Sequence, residues 1–258
     1  MDARIETRIE DRPPGRVARI TVCNAAKLNV LNTALMRGLV EAFATVSKDP
    51  RLRIVVLAGE GERAFIGGAD ITEMAGLNPA TGRAFIIALH EVCAAIRACP
   101  VPVLARMQGF TLGGGLEVAA ACDMRIAAEG AQFGMPETQI GIPSVIEAAL
   151  LPQLIGWGRT RRLLFTGEVI GADTAEQWGL VEEVVRGGPL DEAMARVVRQ
   201  VLHNGPRAIR LQKALIGAWE ELTPAAAIAK GIECFEESWR TDEPTRLMAE
   251  FLARPRRR

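Results

Sequence analysis

A chain of 258 residues, 49% hydrophobic and 24% charged, carries enough apolar material for one sizeable domain, or for one with a small helical appendage. Its 31 basic residues cancel its 31 acidic ones, and the pI near 6.8 lacks the basic footprint of a general nucleic-acid binder. His90 and His203 are the only histidines, tyrosine is absent, and Ser47, Ser144 and Ser238 lie outside any GxSxG, which counts against a Ser-His-Asp hydrolase, a histidine-rich metal site and a Tyr-Lys reductase.

In chain order, Ile5 to Glu10 and Val17 to Val22 read as two strands joined by the Pro13-Pro14-Gly15 turn. Asn32 or Thr33 caps an amphipathic helix running to about Ser47. Ile54 to Ala58 is a short, wholly apolar strand, and a glycine-rich loop leads from it to Ile66-Gly67-Gly68-Ala69-Asp70-Ile71. Thr81 to Ala98 reads as a helix stopped by Pro100 and Pro102, and Val101 to Met107 as a strand. Gly113-Gly114-Gly115 opens a further helix, and Met124 to Ala128 is another strand. From Ala148 the pattern is mostly helical, with a break at Leu180 to Val185. Strands alternating with helices predict an α/β fold with parallel strands joined by crossover helices.

The five cysteines are odd in number, show no CxxC spacing and sit mostly among apolar neighbours, so they read as buried, reduced thiols. No N-terminal apolar targeting stretch and no apolar run long enough to span a bilayer is apparent, which predicts a cytoplasmic protein without a membrane partner. A net charge of zero also fits a chain that hides surface in an oligomer.

Two short runs concentrate the chemistry. After Gly113-Gly114-Gly115, the first amides of the helix lack partners inside it and lie at the positive end of its dipole, where they can stabilise an oxygen that gains charge. Glu117 lies within a turn of them. Glu137 follows Pro136, which holds the chain extended and removes a backbone donor. Two carboxylates near an oxyanion pocket suit chemistry beside a carbonyl. Each element has an ordinary reading too: a glycine turn before a helix, a dipole-favouring acid, Asp70 as a helix cap. The order and spacing of the elements carry the case.

The chain resembles the crotonase (enoyl-CoA hydratase/isomerase) superfamily. The matching runs are Ala64 to Ile71, Gln108 to Glu117 with Cys122-Asp123 beyond, Ala131 to Glu137, Leu164 to Glu168, and Gln177 to Val181, and the likeness extends from about Ile5 to Arg254. The resemblance implies a spiral of ββα turns over 1–200 forming an acyl-CoA-binding catalytic core, then a helical region over 201–258 that builds a homotrimer or hexamer. It implies an acyl-CoA thioester substrate, with coenzyme A as part of the substrate and no metal or redox cofactor. The backbone N–H groups of Ala69 and Gly114 fall at the oxyanion-hole positions. Ala26, Leu28, Gly67, Asp70 and Ile71 fall along the CoA path, and Gly113 and Pro136 border the site. Arg254 falls where a C-terminal lysine commonly meets CoA phosphates.

Hydratases of this family carry two glutamates, and Glu117 and Glu137 fill both positions. The resemblance therefore implies hydration of a 2-enoyl-CoA of fatty acid metabolism, with Glu117 as base toward water and Glu137 as acid toward C2. Coupled acids can exchange these roles. A Δ3,Δ2-enoyl-CoA isomerase, another acyl-CoA enzyme such as a decarboxylase or thioester hydrolase, and a non-catalytic RNA-binding or scaffold protein are the alternatives. The last would need a basic surface, and only the Arg254 to Arg258 tail is basic. One segment departs from the pattern. Where common hydratases carry a loop close to IPGAGGTQ, this chain has Ile142-Pro143-Ser144-Val145-Ile146-Glu147-Ala148-Ala149, whose bulk is expected to narrow or re-aim the acyl pocket. Glu147 reads as an N-terminal acid of the next helix ahead of a third acid in the site. His90 reads as a helix-face residue, and the four tryptophans as core or subunit-interface anchors.

Overall fold

The computed structural model describes residues 3–253. Strands β1 (Arg4–Arg12) and β2 (Gly15–Cys23) form an antiparallel hairpin, longer at each end than the apolar pattern alone indicates. Helix α1 (Thr33–Val46) is capped by Asn32, whose side chain accepts the Leu35 N–H at 2.9 Å, and its stripe Leu35, Met36, Leu39, Phe43 and Val46 is buried. Then follow β3 (Leu52–Gly59), β4 (Ala64–Ile66), the one-turn α2 (Ile71–Met74) and α3 (Pro79–Arg97). A capping box between Asn78 and Thr81 starts α3 two residues before the expected point. The remaining strands and helices of the core are β5 (Val103–Met107), β6 (Phe110–Leu112), α4 (Gly114–Ala121), β7 (Met124–Ala128) and β8 (Gln132–Gly134). After two 3-10 turns, Pro136–Ile140 and Ile146–Leu150, come α5 (Leu151–Thr166), β9 (Val169–Gly171), α6 (Ala172–Trp178) and β10 (Glu183–Val185). The helical remainder is α7 (Leu190–His203), α8 (Pro206–Trp219), α9 (Pro224–Ser238) and α10 (Glu243–Leu252).

The strands form two sheets. The larger runs β1-β2-β3-β5-β7-β10, parallel from β2 onward, and the smaller runs β4-β6-β8-β9, parallel except for β9. Each long strand β3, β5 and β7 is thus followed by a short strand in the second sheet and then by helical chain, the ββα spiral that the resemblance implies. The short strands are what the periodicity reading missed, because three residues are too few to show a period of two. β10 occupies the break expected near Leu180 to Val185 and extends the large sheet beside β7.

Compactness divides the chain into a first unit ending at Val197 and a second beginning at Val198, within α7. The first holds the core, with Ile20, Leu39, Phe43, Leu57, Phe65 and Phe133 among its fully enclosed side chains. In the second, buried Glu243 accepts the N–H groups of Arg207 (3.1 Å) and Ala208 (2.9 Å), tying the start of α10 to the first turn of α8. One expectation needs correcting. α3 is long and apolar enough by composition to cross a bilayer, but it turns Phe85, Leu89, Val92, Cys93 and Ile96 into the core, as a buried-face helix of a globular unit does. Cys23, Cys93, Cys99 and Cys122 are buried and outside any disulfide, and Cys234 is half-buried.

Candidate active site

The three parallel strands of the small sheet end side by side, and each delivers one component of the site. β4 runs into Gly67-Gly68-Ala69-Asp70, β6 into Gly113 and α4, and β8 into Met135-Pro136-Glu137. The close approach of these turns depends on glycine. A Cβ at Gly115 would lie 2.1 Å from the Ile66 carbonyl oxygen, and one at Gly68, whose φ is +114°, would lie 3.2 Å from that of Leu112. The two turns are thereby held against each other.

One amide beside each expected oxyanion donor is already committed. Asp70 N–H donates to Leu31 O at 2.8 Å, and Gly113 N–H to Gly134 O at 2.9 Å. Among the described residues, the N–H groups of Ala69 and Gly114 have no acceptor. Gly114 opens α4, an eight-residue helix, so its amide also sits at the positive end of that dipole.

Glu117, in the first turn of α4, is 3% exposed. Burial lifts its pKa from 4.5 to about 8, with the charges of Glu137 and Glu147 acting in the same direction. The Ala148 N–H, which donates to its Oε1 at 3.0 Å, and the Val145 N–H oppose that rise. Glu137 is half-buried in the 3-10 turn after Pro136, and burial raises its pKa too, against a 2.8 Å hydrogen bond from the Ser144 hydroxyl to its Oε2. Its Oε1 lies over Gly113, where a Cβ would come within 2.4 Å. The two acids act on each other, and in the free protein Glu117 holds its proton to about pH 8. The arrangement can therefore present one carboxylate and one carboxylic acid beside two unspent amides.

The segment that departs from the hydratase pattern serves both acids. Ser144 reaches Glu137, while Val145 and Ala148 turn their amides to Glu117. Ile146, at a glycine position of that pattern, is held at φ +38°, a conformation that strains a β-branched residue by about 1–3 kcal/mol. Glu147 is indeed in the first turn of a short helix, but it is also a third acid of the site, which corrects the reading of it as a terminal acid alone. Its Oε1 bonds His90 Nδ1 at 2.8 Å, and the buried Cys93 thiol lies against the same carboxylate. His90 is therefore more than a helix-face residue: one turn of α3 brings it and Cys93 to Glu147 and Leu89 to Gly114.

The expected CoA-path residues lie in two stitched loops. Ala26 is exposed in a 3-10 turn, and half-buried Leu28 follows at φ +56° with its carbonyl accepting the Gly67 N–H at 2.8 Å. Asn29, which the sequence reading passed over, holds this loop in place. Its buried Nδ2 donates to Ala64 O at 2.8 Å and to Glu60 O at 3.0 Å, and its Oδ1 accepts the Asn24 N–H at 3.0 Å. Asp70 caps α2 by accepting the Thr72 N–H at 2.9 Å and lies 3.5 Å from Lys27 Nζ; burial works upward on its pKa, but these partners keep it below the ordinary value. Ile71 is 61% exposed at the start of α2, an open apolar surface beside the loop. Arg254 lies outside the described residues. No group of three or more His, Cys, Asp or Glu side chains suited to a metal occurs among the described residues.

Comparison with known proteins identifies the family. The profile of the enoyl-CoA hydratase/isomerase family matches residues 13–255. A short-chain-enoyl-CoA hydratase of Clostridium acetobutylicum is 34% identical over 239 residues, 92% of each chain. A crotonyl-CoA hydratase of Syntrophomonas wolfei is 33% identical over 238 residues, again 92% of each. The crystal structure of an enoyl-CoA hydratase from Bacillus anthracis superposes with a TM-score of 0.90 at 32% identity, covering 96% of this chain and 95% of that one. A spiral whose strand ends gather two acids and two unpaired amides, matched over nearly its full length, belongs to the enoyl-CoA hydratase/isomerase family, the crotonase superfamily.

Proposed function

We propose that this chain is a 2-enoyl-CoA hydratase that adds water across the C2=C3 bond of a short or modified acyl thioester. The observation that carries the reading is the pair Glu117 and Glu137, both with raised pKa, gathered at the Gly113 turn. The relatives named as short-chain-enoyl-CoA and crotonyl-CoA hydratases support it. The thioester oxygen accepts the N–H groups of Ala69 and Gly114. Water is a poor nucleophile, so the ionised member of the pair takes its proton as the oxygen attacks C3. The double-bond electrons move toward the thioester oxygen as an enolate, and the protonated member then supplies a proton to C2. One hydrogen reaches C2 and one hydroxyl reaches C3, so no metal or redox cofactor enters the scheme. Preorganised donors at a developing oxyanion typically supply about 3–4 kcal/mol each, which makes the two amides as important as the acids.

In this reading CoA runs along Ala26, Leu28, Gly67, Asp70 and Ile71 toward Arg254, with Gly113 and Pro136 at the reacting end. The protein is assigned to the cytoplasm and to a homotrimer or hexamer. An exposed stripe on α9, Ile228, Ile232 and Phe235, continued by Trp239 at its C-cap, supports self-association of the helical region. An isomerase needs only one carboxylate to move its proton, so two retained acids favour hydration.

The test follows loss of the conjugated-thioester absorbance of crotonyl-CoA, for the unmodified protein and for Glu117→Gln and Glu137→Gln. Turnover that collapses in both variants supports the pair mechanism. Undiminished turnover in either one overturns it, and conversion of a 3-enoyl-CoA without hydration replaces it with the isomerase.

A further inference from the structure

Both oxygens of the Glu137 carboxylate are placed. Oε2 accepts the Ser144 hydroxyl at 2.8 Å, and Oε1 lies over the bare face of Gly113, within 2.4 Å of where a Cβ would be. Gly113 has φ +52° and immediately precedes the Gly114 amide, so Oε1 faces the turn that would hold a thioester oxygen. Ser144 is one of only three serines in the chain. It stands where the common loop has a glycine, a residue with no side chain to make this bond.

We propose that Ser144 is a positioning residue: its hydroxyl anchors Oε2 of Glu137 so that Oε1 is the oxygen presented to the reacting atoms at the Gly113–Gly114 turn. The proposal rests on the hydratase reading. A hydroxyl donating to a carboxylate makes one of the stronger hydrogen bonds, and it removes the rotation by which a free carboxylate would exchange its two oxygens. The same bond favours the ionised form of Glu137 and partly offsets its burial. Glu117 on α4 is the titratable group that faces it, with Glu147 and His90 beyond, and neither Lys nor Arg forms an ion pair with Glu137 among the described residues.

Ser144→Ala and Ser144→Thr in the full chain test this with two readouts. The first is the pH titration of the Glu137 side-chain carbonyl resonance in protein labelled at glutamate carboxyl carbons, identified by its loss in Glu137→Gln. The second is kcat and KM for crotonyl-CoA. Removal of the hydroxyl is expected to move the Glu137 midpoint upward by about one pH unit and to lower kcat roughly tenfold, with KM within about twofold. Threonine, which keeps the hydroxyl, is expected to restore both. An unchanged midpoint and kcat in Ser144→Ala, or a threonine variant that behaves like alanine, overturns the proposal. A midpoint that moves in a protein with no hydration of crotonyl-CoA overturns the hydratase reading, while showing that the bond itself is present.

Discussion

Replacing Glu117 by glutamine should stabilise the protein increasingly as pH rises. The folded protein holds a proton on this buried carboxyl up to about pH 8, whereas a hydrated glutamate releases it near 4.5. Across that window the folded state binds more protons than the unfolded chain, so raising the pH favours unfolding. At about 1.36 kcal/mol per pH unit, the interval from 4.5 to about 8 corresponds to a ceiling of roughly 5 kcal/mol. Glutamine has no such proton to lose. It does give up part of the acceptor capacity offered to the Ala148 and Val145 amides, at about 1–3 kcal/mol, but that loss is independent of pH and cancels when the two proteins are compared at two pH values. Because Glu137 titrates alongside and shares part of the dependence, the stability difference should grow in favour of the variant by about 2–4 kcal/mol between about pH 5 and about pH 8. Urea unfolding followed by tryptophan fluorescence, with linear extrapolation, measures it. Protein concentration is held constant, since self-association adds to apparent stability. A difference that stays constant, or that shrinks as pH rises, would mean that Glu117 is hydrated in the folded protein and would refute the electrostatic account of the site.

The same proton limits activity: kcat/KM for crotonyl-CoA should fall above about pH 8 as Glu117 ionises, and Glu147→Gln should move that limb to lower pH, because the Glu147 charge helps to hold the proton. Gly113→Ala places a methyl group 2.4 Å from Glu137 Oε1 at a φ of +52°, so steady-state kinetics should show a loss of kcat of at least tenfold while far-ultraviolet circular dichroism stays that of the folded chain. Asn29→Ala removes the partner of the buried Ala64 carbonyl and of the part-buried backbone groups of Glu60 and Asn24, and urea unfolding should report a loss of roughly 3 kcal/mol. Truncation after Ala253 should raise KM for the CoA ester more than it lowers kcat if Arg254 contributes uniform binding, and an unchanged KM removes Arg254 from the site.

The long elements and the two catalytic candidates were legible without coordinates, because their signals are local. A helical stripe such as Leu35, Met36, Leu39 and Phe43, the apolar run of β3, an Asn cap and a triple glycine ahead of an acid each lie within one short window of sequence. The ordered motifs then identified the family, and with it the ββα spiral that periodicity alone could not supply. What only the tertiary structure decided is which distant groups meet. The strands β4, β6 and β8 are three residues each, yet their pairing sets the Gly68, Gly113 and Glu137 turns side by side. His90 and Glu147, fifty-seven positions apart, bond only because α3 lies against the 3-10 turn after Ser144. Asn29 gives no signal until its amide is seen closing the loop onto β4. Burial, finally, is a property of the whole fold. In the sequence Glu117 is an ordinary acid in a helix's first turn; enclosed beside two other carboxylates, it keeps its proton to about pH 8.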